Sequence, residues 1–292
     1  MRRMQQAALY VSLAAFVAAS STQADVQGAG VCELCPDMVV IPAGSFEMGE
    51  WVNRGYGDVE GPKHTVTFSA PFQMAVAEVS VGEFRRFADD TGHVSEGLCN
   101  IYTDTTSWHI ARGRNWNDPG FLQDENHPVL CISWADAQAY IAWLNAETGR
   151  SYRLPSEAEW EYVASTGGIG SAQGGAITHN NANIGKEECC GGETGGADQW
   201  VRTSPIKSFP PDKYGLFDVR GNVWEWQADC YHENYFGAPA NGAARISCEK
   251  STEHVVRGGS YGDASDYMSV RFRLPGRTAE GYFTVGFRLA HD

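Results

Sequence analysis

A carboxylate set between two tryptophans is the first feature of this sequence that could do chemistry. Glu225 stands between Trp224 and Trp226, near the end of the stretch 214–226. Large aromatic neighbours bury a carboxylate, and a buried charge needs a partner, so Glu225 is expected either to bind a cation or to pair with an arginine. For a cation, nearby backbone carbonyls would complete the all-oxygen ligand set that calcium prefers. These are the carbonyls of Arg220, Gly221 and Val223.

The same stretch resembles the signature of the formylglycine-generating enzyme family, the sulfatase-modifying factors. Residues 214–226 read YGLFDVRGNVWEW, and four further segments resemble the family in the same order. They are residues 38–49, 127–145, 153–162 and 255–290. The resemblance extends from about residue 38 to the end of the sequence. It implies the formylglycine-generating fold, a loop-rich α+β relative of the C-type lectin fold.

The resemblance also implies a second calcium site. Asn183 and Asp198 would supply side-chain oxygens, and Ile184 and Trp200 would supply carbonyls. All four fall in or next to residues 167–196, which are rich in glycine and asparagine. Ordering such a segment costs conformational entropy, which a bound ion would help to offset. Calcium is therefore the expected structural cofactor.

Active members of the family bind one copper(I) ion through two cysteines that follow an RGGS motif, and this sequence lacks both. Asp263 stands at the first cysteine position and Met268 at the second. Copper(I) prefers thiolates, whereas a carboxylate is a hard ligand and a thioether a weak one. Copper binding and the family's oxidation of cysteine are therefore not expected, and the residues do not identify another redox metal.

Other positions that line the family's cleft are retained. They are Ser260, Tyr267, Arg271 and Trp226. Asp263 could act among them as a base or as an iron ligand, and the arginines of 271–277 could bind an anion. The alternative is that Asp263 only joins a surface ion-pair network with Arg271 or Arg273.

Length and composition limit the remaining classes of function. The chain has 292 residues, of which 42% are hydrophobic, enough for one large domain with a single core. Its formal charge of −14 is opposite to that of a typical nucleic-acid-binding protein, so no nucleic acid partner is expected. The sequence contains no HExxH or phosphate-binding loop motif.

The N-terminus is typical of a secretory signal. Arg2 and Arg3 precede a short apolar run, and a small-residue cleavage site lies before Asp25. We therefore expect a signal peptide over 1–24, a linker over 25–37 and one domain over 38–292. Because the apolar run is too short to span a bilayer comfortably, we expect no membrane span. The signal peptide predicts secretion, so we expect the protein to be located in a bacterial periplasm.

Eight cysteines agree with an oxidising compartment. Local spacing favours two loop-closing disulfides, Cys99–Cys131 and Cys230–Cys248. Cys32 and Cys35 form a CxxC pair, which is interpreted as disulfide-forming rather than as a redox or zinc half-site. A vicinal disulfide is strained, so these two are candidate partners for the adjacent Cys189 and Cys190.

The sequence predicts three helix starts. Ser80, Ser133 and Ser156 are each followed three residues later by an acidic residue, the pattern of a capping box. Strands are predicted at 38–41 and 45–48, joined as a hairpin, and at 64–68. Residues 92–126 show little periodicity and are predicted to be a long loop that forms a wall over the site.

Two functional hypotheses follow from the residues and the resemblance, and a third is retained. The first is a secreted oxidase-type enzyme that modifies a peptide-like substrate. Its nearest functional analogue is the periplasmic branch of the family that matures the chromophore of the siderophore pyoverdine. The second is a lectin-like module that binds a ligand without chemistry. The third is formylglycine generation on sulfatases by an unusual centre. The residues do not indicate an oligomeric state.

Overall fold

The computed structural model describes residues 32–50, 60–95, 98–102, 108–168, 176–186, 191–248 and 252–292. The chain divides into the units Met1–Glu33 and Leu34–Asp292, and every element described below belongs to the second. The predicted signal peptide and most of the predicted linker lie outside the described residues. Cys189 and Cys190 lie outside them as well.

The three predicted helices are present. They are α1 (Val81–Thr91), α2 (Trp134–Thr148) and α3 (Glu157–Thr166). Each begins with the capping box that the sequence predicts, in which the cap serine and the third helical residue exchange hydrogen bonds. Gly92 and Gly149 end α1 and α2 in the left-handed conformation, which glycine adopts without a Cβ clash. Local chemistry thus sets where these helices begin and where α1 and α2 end.

The strands are short and belong to four small sheets within the described residues. In chain order they are β1 (Met38–Ile41), β2 (Gly44–Met48), β3 (His64–Phe68), β4 (Phe72–Ala75), β5 (Leu98–Tyr102), β6 (Trp108–Arg112), β7 (Trp224–Cys230), β8 (Glu253–Arg257), β9 (Arg273–Arg277), β10 (Gly281–Tyr282), β11 (Val285–Gly286) and β12 (Ala290–His291). The sheet orders are β1-β4-β12, β10-β5-β6, β11-β7-β8-β9 and β2-β3. This is the expected loop-rich α+β architecture.

Two predictions about the strands are corrected. β1 and β2 do not form a hairpin: β1 pairs with β4, and β2 pairs with β3. The region 92–126 is not one long loop, because β5 and β6 form an antiparallel pair inside it. Both errors concern strand pairing, which depends on side-chain packing across the molecule more than on local propensity.

The main hydrophobic core lies between α1, α2 and the sheet centred on β7. Phe84, Tyr140 and Phe287 pack there through their rings, and all three are buried. A second core surrounds Tyr162 of α3, which contacts Phe68 of β3. In the part of the chain that the structure describes, no helix is long and apolar enough to cross a membrane.

Candidate functional site

A sharp turn after β8 builds the candidate site. Gly258 and Gly259 have φ angles of 111° and 76°, values that favour glycine. A Cβ atom at Gly259 would lie 2.4 Å from Sδ of Met268, so the turn also packs too tightly for any side chain there. The chain then passes through Ser260 and reverses, since the Asp263 N–H donates to the Ser260 carbonyl at 3.1 Å. The glycines therefore bring Ser260 and Asp263 together.

The Asp263 carboxylate is buried and held from one side. Its Oδ2 atom accepts hydrogen bonds from Trp224 Nε1 at 2.8 Å, from the Ser260 N–H at 2.9 Å and from Ser260 Oγ at 2.5 Å. Burial raises the pKa of Asp263 to about 6, although the donors from Ser260 and Trp224 act to lower it. Desolvation thus outweighs the hydrogen bonds.

The second oxygen of Asp263 has different surroundings. Oδ1 receives no hydrogen bond from the residues that the structure describes, while Oδ2 carries all three. The residue is 6% exposed, so the opening at this carboxylate is narrow. A carboxylate with one fixed and one unengaged oxygen can accept a proton or bind a cation through the unengaged one.

The arginines that follow Asp263 in the sequence pair elsewhere. Arg271 Nη1 lies 3.3 Å from a Glu50 carboxylate oxygen. Arg273 binds the buried Glu157 through two nitrogens, at 2.6 and 2.7 Å. These contacts do not support the ion-pair alternative, in which Asp263 joins Arg271 or Arg273. They also direct both guanidinium groups to other carboxylates rather than to the Asp263 turn.

Trp226 and Tyr267, two other predicted cleft residues, differ in burial. Trp226 has no exposed surface and its Nε1 donates to the Ile132 carbonyl at 3.3 Å, so it lies in the core rather than in a cleft. Tyr267 is partly exposed and packs edge-on against Phe272, with ring centroids 5.3 Å apart. Trp224, which the sequence reasoning passed over, is the tryptophan that contacts Asp263.

The residues at the two family cysteine positions do not fit copper(I). Asp263 offers oxygen, and Met268 is fully buried in an apolar cluster with Ile177, Ala182 and Ile184. A hard carboxylate and a thioether already packed in the core do not match a soft ion that binds through thiolates.

Glu225 pairs with an arginine in the structure. Arg288 donates to both of its carboxylate oxygens, with the shortest contact 2.6 Å from Nη2 to Oε1. Trp160 Nε1 donates to Oε2 at 3.0 Å. Both residues of the ion pair have fully buried side chains, and the guanidinium stands where a cation bound by Glu225 would have to be. The Glu225 carboxylate therefore does not fit calcium as it stands.

The turn before Glu225 has a left-handed backbone at two consecutive residues. Gly221 and Asn222 have φ angles of 89° and 57°. A Cβ atom at Gly221 would lie 2.6 Å from the Asn183 carbonyl oxygen. Burial lowers the pKa of Arg220 to about 10, and its Nε donates to the Met268 carbonyl. Val223 is fully buried, so this turn is tightly packed.

Two buried acids near this ion pair were not found from the sequence. Glu78 accepts a hydrogen bond from Asn222 at 3.1 Å and lies close enough to Asp218 and Arg288 to interact with both. Burial, with a smaller contribution from Asp218, raises the pKa of Glu78 well above its usual range. Burial likewise raises the pKa of Asp218 to about 6. A signal for Glu78 existed, since it lies two residues before the predicted helix start at Ser80.

At the second predicted calcium site, no arginine among the described residues pairs with the Asp198 carboxylate as Arg288 pairs with Glu225, and other hydrogen-bond donors hold it. Asp198 is buried and accepts hydrogen bonds from His179 Nδ1 at 3.0 Å and from the backbone N–H groups of Ile184 and Trp200 at 3.3 and 3.1 Å. Asn183 Oδ1 is buried with no hydrogen-bond partner in the described structure. Asn183 directly precedes Ile184, whose N–H donates to the buried Asp198 carboxylate, so the orphaned Asn183 oxygen fits a cation bound in this segment.

Both predicted loop-closing disulfides are present. Cys99 bonds to Cys131 and Cys230 bonds to Cys248. Cys32 and Cys35 are also disulfide-bonded, as predicted. Among the described cysteines none is free.

The fold and the glycine-rich acidic turn define the class as formylglycine-generating-enzyme-like proteins. The model of the sulfatase-modifying factor enzyme 1-like domain matches residues 22–292, so the chain belongs to this family. The formylglycine-generating enzyme of Streptomyces coelicolor is 32% identical over 87% of this chain and 88% of its own length.

Solved structures support the same placement. PvdO from Pseudomonas aeruginosa is 32% identical and superimposes with a TM-score of 0.71, covering 89% of this chain and 96% of that one. Treponema denticola variable protein 1 is 20% identical with a TM-score of 0.59, covering 87% and 94%, and this likeness concerns the fold alone. The expected family and its lectin-like fold are confirmed.

Proposed function

We propose that this protein is a divergent oxidase-type enzyme of the sulfatase-modifying factor family, acting on a peptide-like substrate such as a siderophore precursor. The observation that carries the proposal is the Asp263 carboxylate, which occupies the first copper-cysteine position with one oxygen fixed and one unengaged. We further propose that the chain is secreted to the periplasm, on the basis of its signal-like N-terminus.

In this proposal Asp263 is the general base. A carboxylate with a pKa of about 6 holds a proton more firmly than an ordinary aspartate, yet is mostly ionised at neutral pH. Trp224 and Ser260 hold Oδ2, so Oδ1 points in one direction and is not free to rotate. The residue that accepts a proton from the substrate is thereby fixed in place before the substrate binds. In the proposal molecular oxygen accepts the two electrons taken from the substrate, and the residues do not identify a redox metal.

The residues at the two copper positions favour this proposal over formylglycine generation. The support is the chemistry of these residues, because Met268 is fully buried and Asp263 is a hard ligand, and neither suits copper(I). The identity to PvdO, 32%, equals the identity to the Streptomyces coelicolor formylglycine-generating enzyme, so overall sequence likeness does not decide between the two activities.

Calcium is proposed as a structural ion at Asn183, Ile184, Asp198 and Trp200. The support is the buried Asn183 Oδ1 without a hydrogen-bond partner in the described structure, next to Ile184, whose N–H donates to the buried Asp198 carboxylate. The ion would supply positive charge to this pair and order the segment around it. Glu225, with Arg220, Gly221 and Val223, is left out of this proposal because Arg288 already satisfies its carboxylate.

The functional test uses siderophore precursor peptides and oxygen uptake. Oxidase-type activity predicts that the purified protein consumes oxygen and lowers the substrate mass by two hydrogens. Asp263→Asn should abolish turnover, whereas Asp266→Asn, in an exposed neighbour three residues away, should leave it unchanged. Saturable binding without a product would favour the lectin-like module, and equal turnover in both variants would refute Asp263 as the base.

A second test addresses the copper chemistry. Disulfide-intact protein with ascorbate-reduced copper should neither retain copper(I) against a strong chelator nor convert the cysteine of a sulfatase-type peptide to formylglycine. The Streptomyces coelicolor enzyme serves as the positive control. A formylglycine product, identified by mass spectrometry, would contradict the proposed divergence from that activity.

A further inference from the structure

A cluster of two sulfurs and one imidazole lies at the end of β7 opposite to Trp224, the tryptophan that contacts Asp263. Cys230 is the last residue of β7 and stands opposite His254 of β8 in the strand register. Its disulfide partner Cys248 brings the second sulfur to the same place. The sulfur atoms and an imidazole nitrogen of His254 all lie within 4.8 Å of one another.

The imidazole of His254 is oriented with its unprotonated nitrogen available. The Thr278 hydroxyl donates its single hydrogen to the Thr252 carbonyl at 2.5 Å, so its oxygen must accept from His254 Nδ1–H at 3.1 Å. The lone pair of His254 is therefore on Nε2. Trp134 stacks on the ring at 4.0 Å with an interplanar angle of 20°, which fixes its plane. Metal-binding histidines are held in this way by a partner at the second nitrogen.

Of the three residues only Cys248 is exposed, so a reductant in solution can approach it. Cys230 and His254 are 2% and 7% exposed, whereas Cys248 is exposed and lies outside any helix or strand. An external thiolate can thus reach the Cys248 sulfur. After reduction, Cys248 has the freedom to move, while Cys230 and His254 stay fixed by the β7–β8 pairing.

The dimensions suit a tetrahedral metal ion after a small adjustment. Zinc binds thiolates at about 2.3 Å and imidazole nitrogen at about 2.0 Å, which sets its ligand atoms roughly 3.5 Å apart. The present atoms lie within 4.8 Å of one another, so small side-chain movements that separate the two sulfurs and bring both close to His254 would meet this requirement. Two thiolates would also balance the charge of a divalent ion.

We propose that reduction of the Cys230–Cys248 disulfide opens a zinc-type site made of two thiolates and His254 Nε2, with the fourth position left for water or another ligand. A dithiol supplies two electrons and two protons, the S–S bond breaks, and the dithiol becomes a disulfide. Binding of the ion then displaces one proton from each new thiol. In the oxidised protein neither sulfur is a thiolate, so the site is closed and its state reports the redox environment.

The test uses cobalt(II) as a spectroscopic substitute for zinc. Because other cysteines would also bind metal when reduced, the background protein carries Cys32→Ser, Cys35→Ser, Cys189→Ser and Cys190→Ser. After anaerobic reduction by a dithiol and its removal, we expect one cobalt(II) per chain with thiolate charge-transfer absorption, displaced by zinc(II). The oxidised form of the same protein should bind none at this affinity.

Three variants separate this site from adventitious binding. In the reduced background, Cys248→Ser and His254→Phe should each weaken binding more than about 100-fold, and Thr278→Val should weaken it about 10- to 100-fold through loss of the imidazole's orientation. The phenyl ring of His254→Phe can keep the stacking on Trp134. Cys99→Ala/Cys131→Ala removes the other described disulfide and should leave the stoichiometry at one.

X-ray absorption at the zinc edge gives a measurement that does not depend on the variants' folding. Two sulfur neighbours with one histidine nitrogen and one oxygen are expected in the reduced, zinc-loaded background protein. The proposal is overturned if the reduced protein binds no cobalt(II), if Cys248→Ser binds as tightly as the background, or if the zinc neighbours include no sulfur.

Discussion

The buried Asp263 carboxylate should make the protein's stability depend on pH in a way that one substitution removes. The folded state raises the pKa of Asp263 to about 6 from an ordinary value of 3.8. The folded protein therefore holds this proton at pH values where the unfolded chain has lost it. Between those two values the unfolded state binds fewer protons, so the free energy of unfolding falls as the pH rises.

The magnitude follows from the two pKa values. The gap from 3.8 to about 6 corresponds to about 3 kcal/mol of stability, at about 1.36 kcal/mol per pH unit. Because the unfolded carboxyl is already partly ionised at pH 4, the interval from pH 4 to pH 8 contains about 2.5 kcal/mol of this. Asp263→Asn cannot ionise, so it should gain about 2.5 kcal/mol relative to the unmodified protein over that interval.

The assay is urea denaturation of both proteins at closely spaced pH values. Other buried acids, such as Asp218 and Asp229, titrate in both proteins and cancel in the difference. A fixed cost of replacing the hydrogen bonds also cancels, because only the change with pH is used. Asp266→Asn, at an exposed position, should show no such change. A constant difference between Asp263→Asn and the unmodified protein from pH 4 to pH 8 would refute the burial of this carboxylate.

Three further predictions concern stability and the cysteines. Glu225→Gln should cost about 3 to 5 kcal/mol of unfolding free energy, because it leaves the Arg288 guanidinium buried without its partner. In the same urea experiment the control Asp118→Asn, at an exposed ion pair, should cost less than about 1 kcal/mol. A strong chelator should lower the melting temperature of the unmodified protein, by the equivalent of about 2.7 kcal/mol if calcium was present at 100 times its dissociation constant. Asp198→Asn should abolish that response. Equal melting curves with and without chelator would exclude the ion. Thiol titration of the denatured, unreduced mature protein should find less than one free thiol per chain, and four or more would contradict full disulfide pairing.

The features predicted correctly from the sequence are those that neighbouring residues determine. A capping box needs a serine and an acid three residues later, so the starts at Ser80, Ser133 and Ser156 could be read directly. The two loop-closing disulfides join cysteines 32 and 18 residues apart, which short spacing also favoured.

Strand pairing could not be predicted in the same way. β4 pairs with β1 on one side and with β12, from the end of the chain, on the other. The predicted hairpin of β1 and β2 assumed that strands close in sequence are paired. Nothing within β1 or β4 indicates that β12, a two-residue strand more than 200 positions later, completes their sheet. The pairing depends on the core that the three strands share.

The partner of Glu225 shows a similar limit at the level of one side chain. The sequence indicated a buried carboxylate and left a cation and an arginine as alternatives. Arg288 lies 63 positions away, in a segment that reads as an ordinary strand region. A buried carboxylate requires a positive partner, but local sequence does not say which arginine can reach it.

Position along β7, and not the face of the strand, explains why Trp224 rather than Trp226 belongs to the candidate site. Residues two apart on a strand project from the same face, so both tryptophans of β7 share one face and Glu225 projects from the other. Trp224 is the first residue of the strand and reaches the Asp263 turn, while Trp226, one pair further along, is covered by the Ile132 backbone and by Tyr282. The motif therefore has two separate uses. Its first tryptophan orients the candidate base, and its glutamate holds Arg288 in the core. A Trp224→Phe variant should accordingly raise the pKa of Asp263 by removing one donor, and Trp226→Phe should not, which pH-dependent denaturation of the two variants can measure.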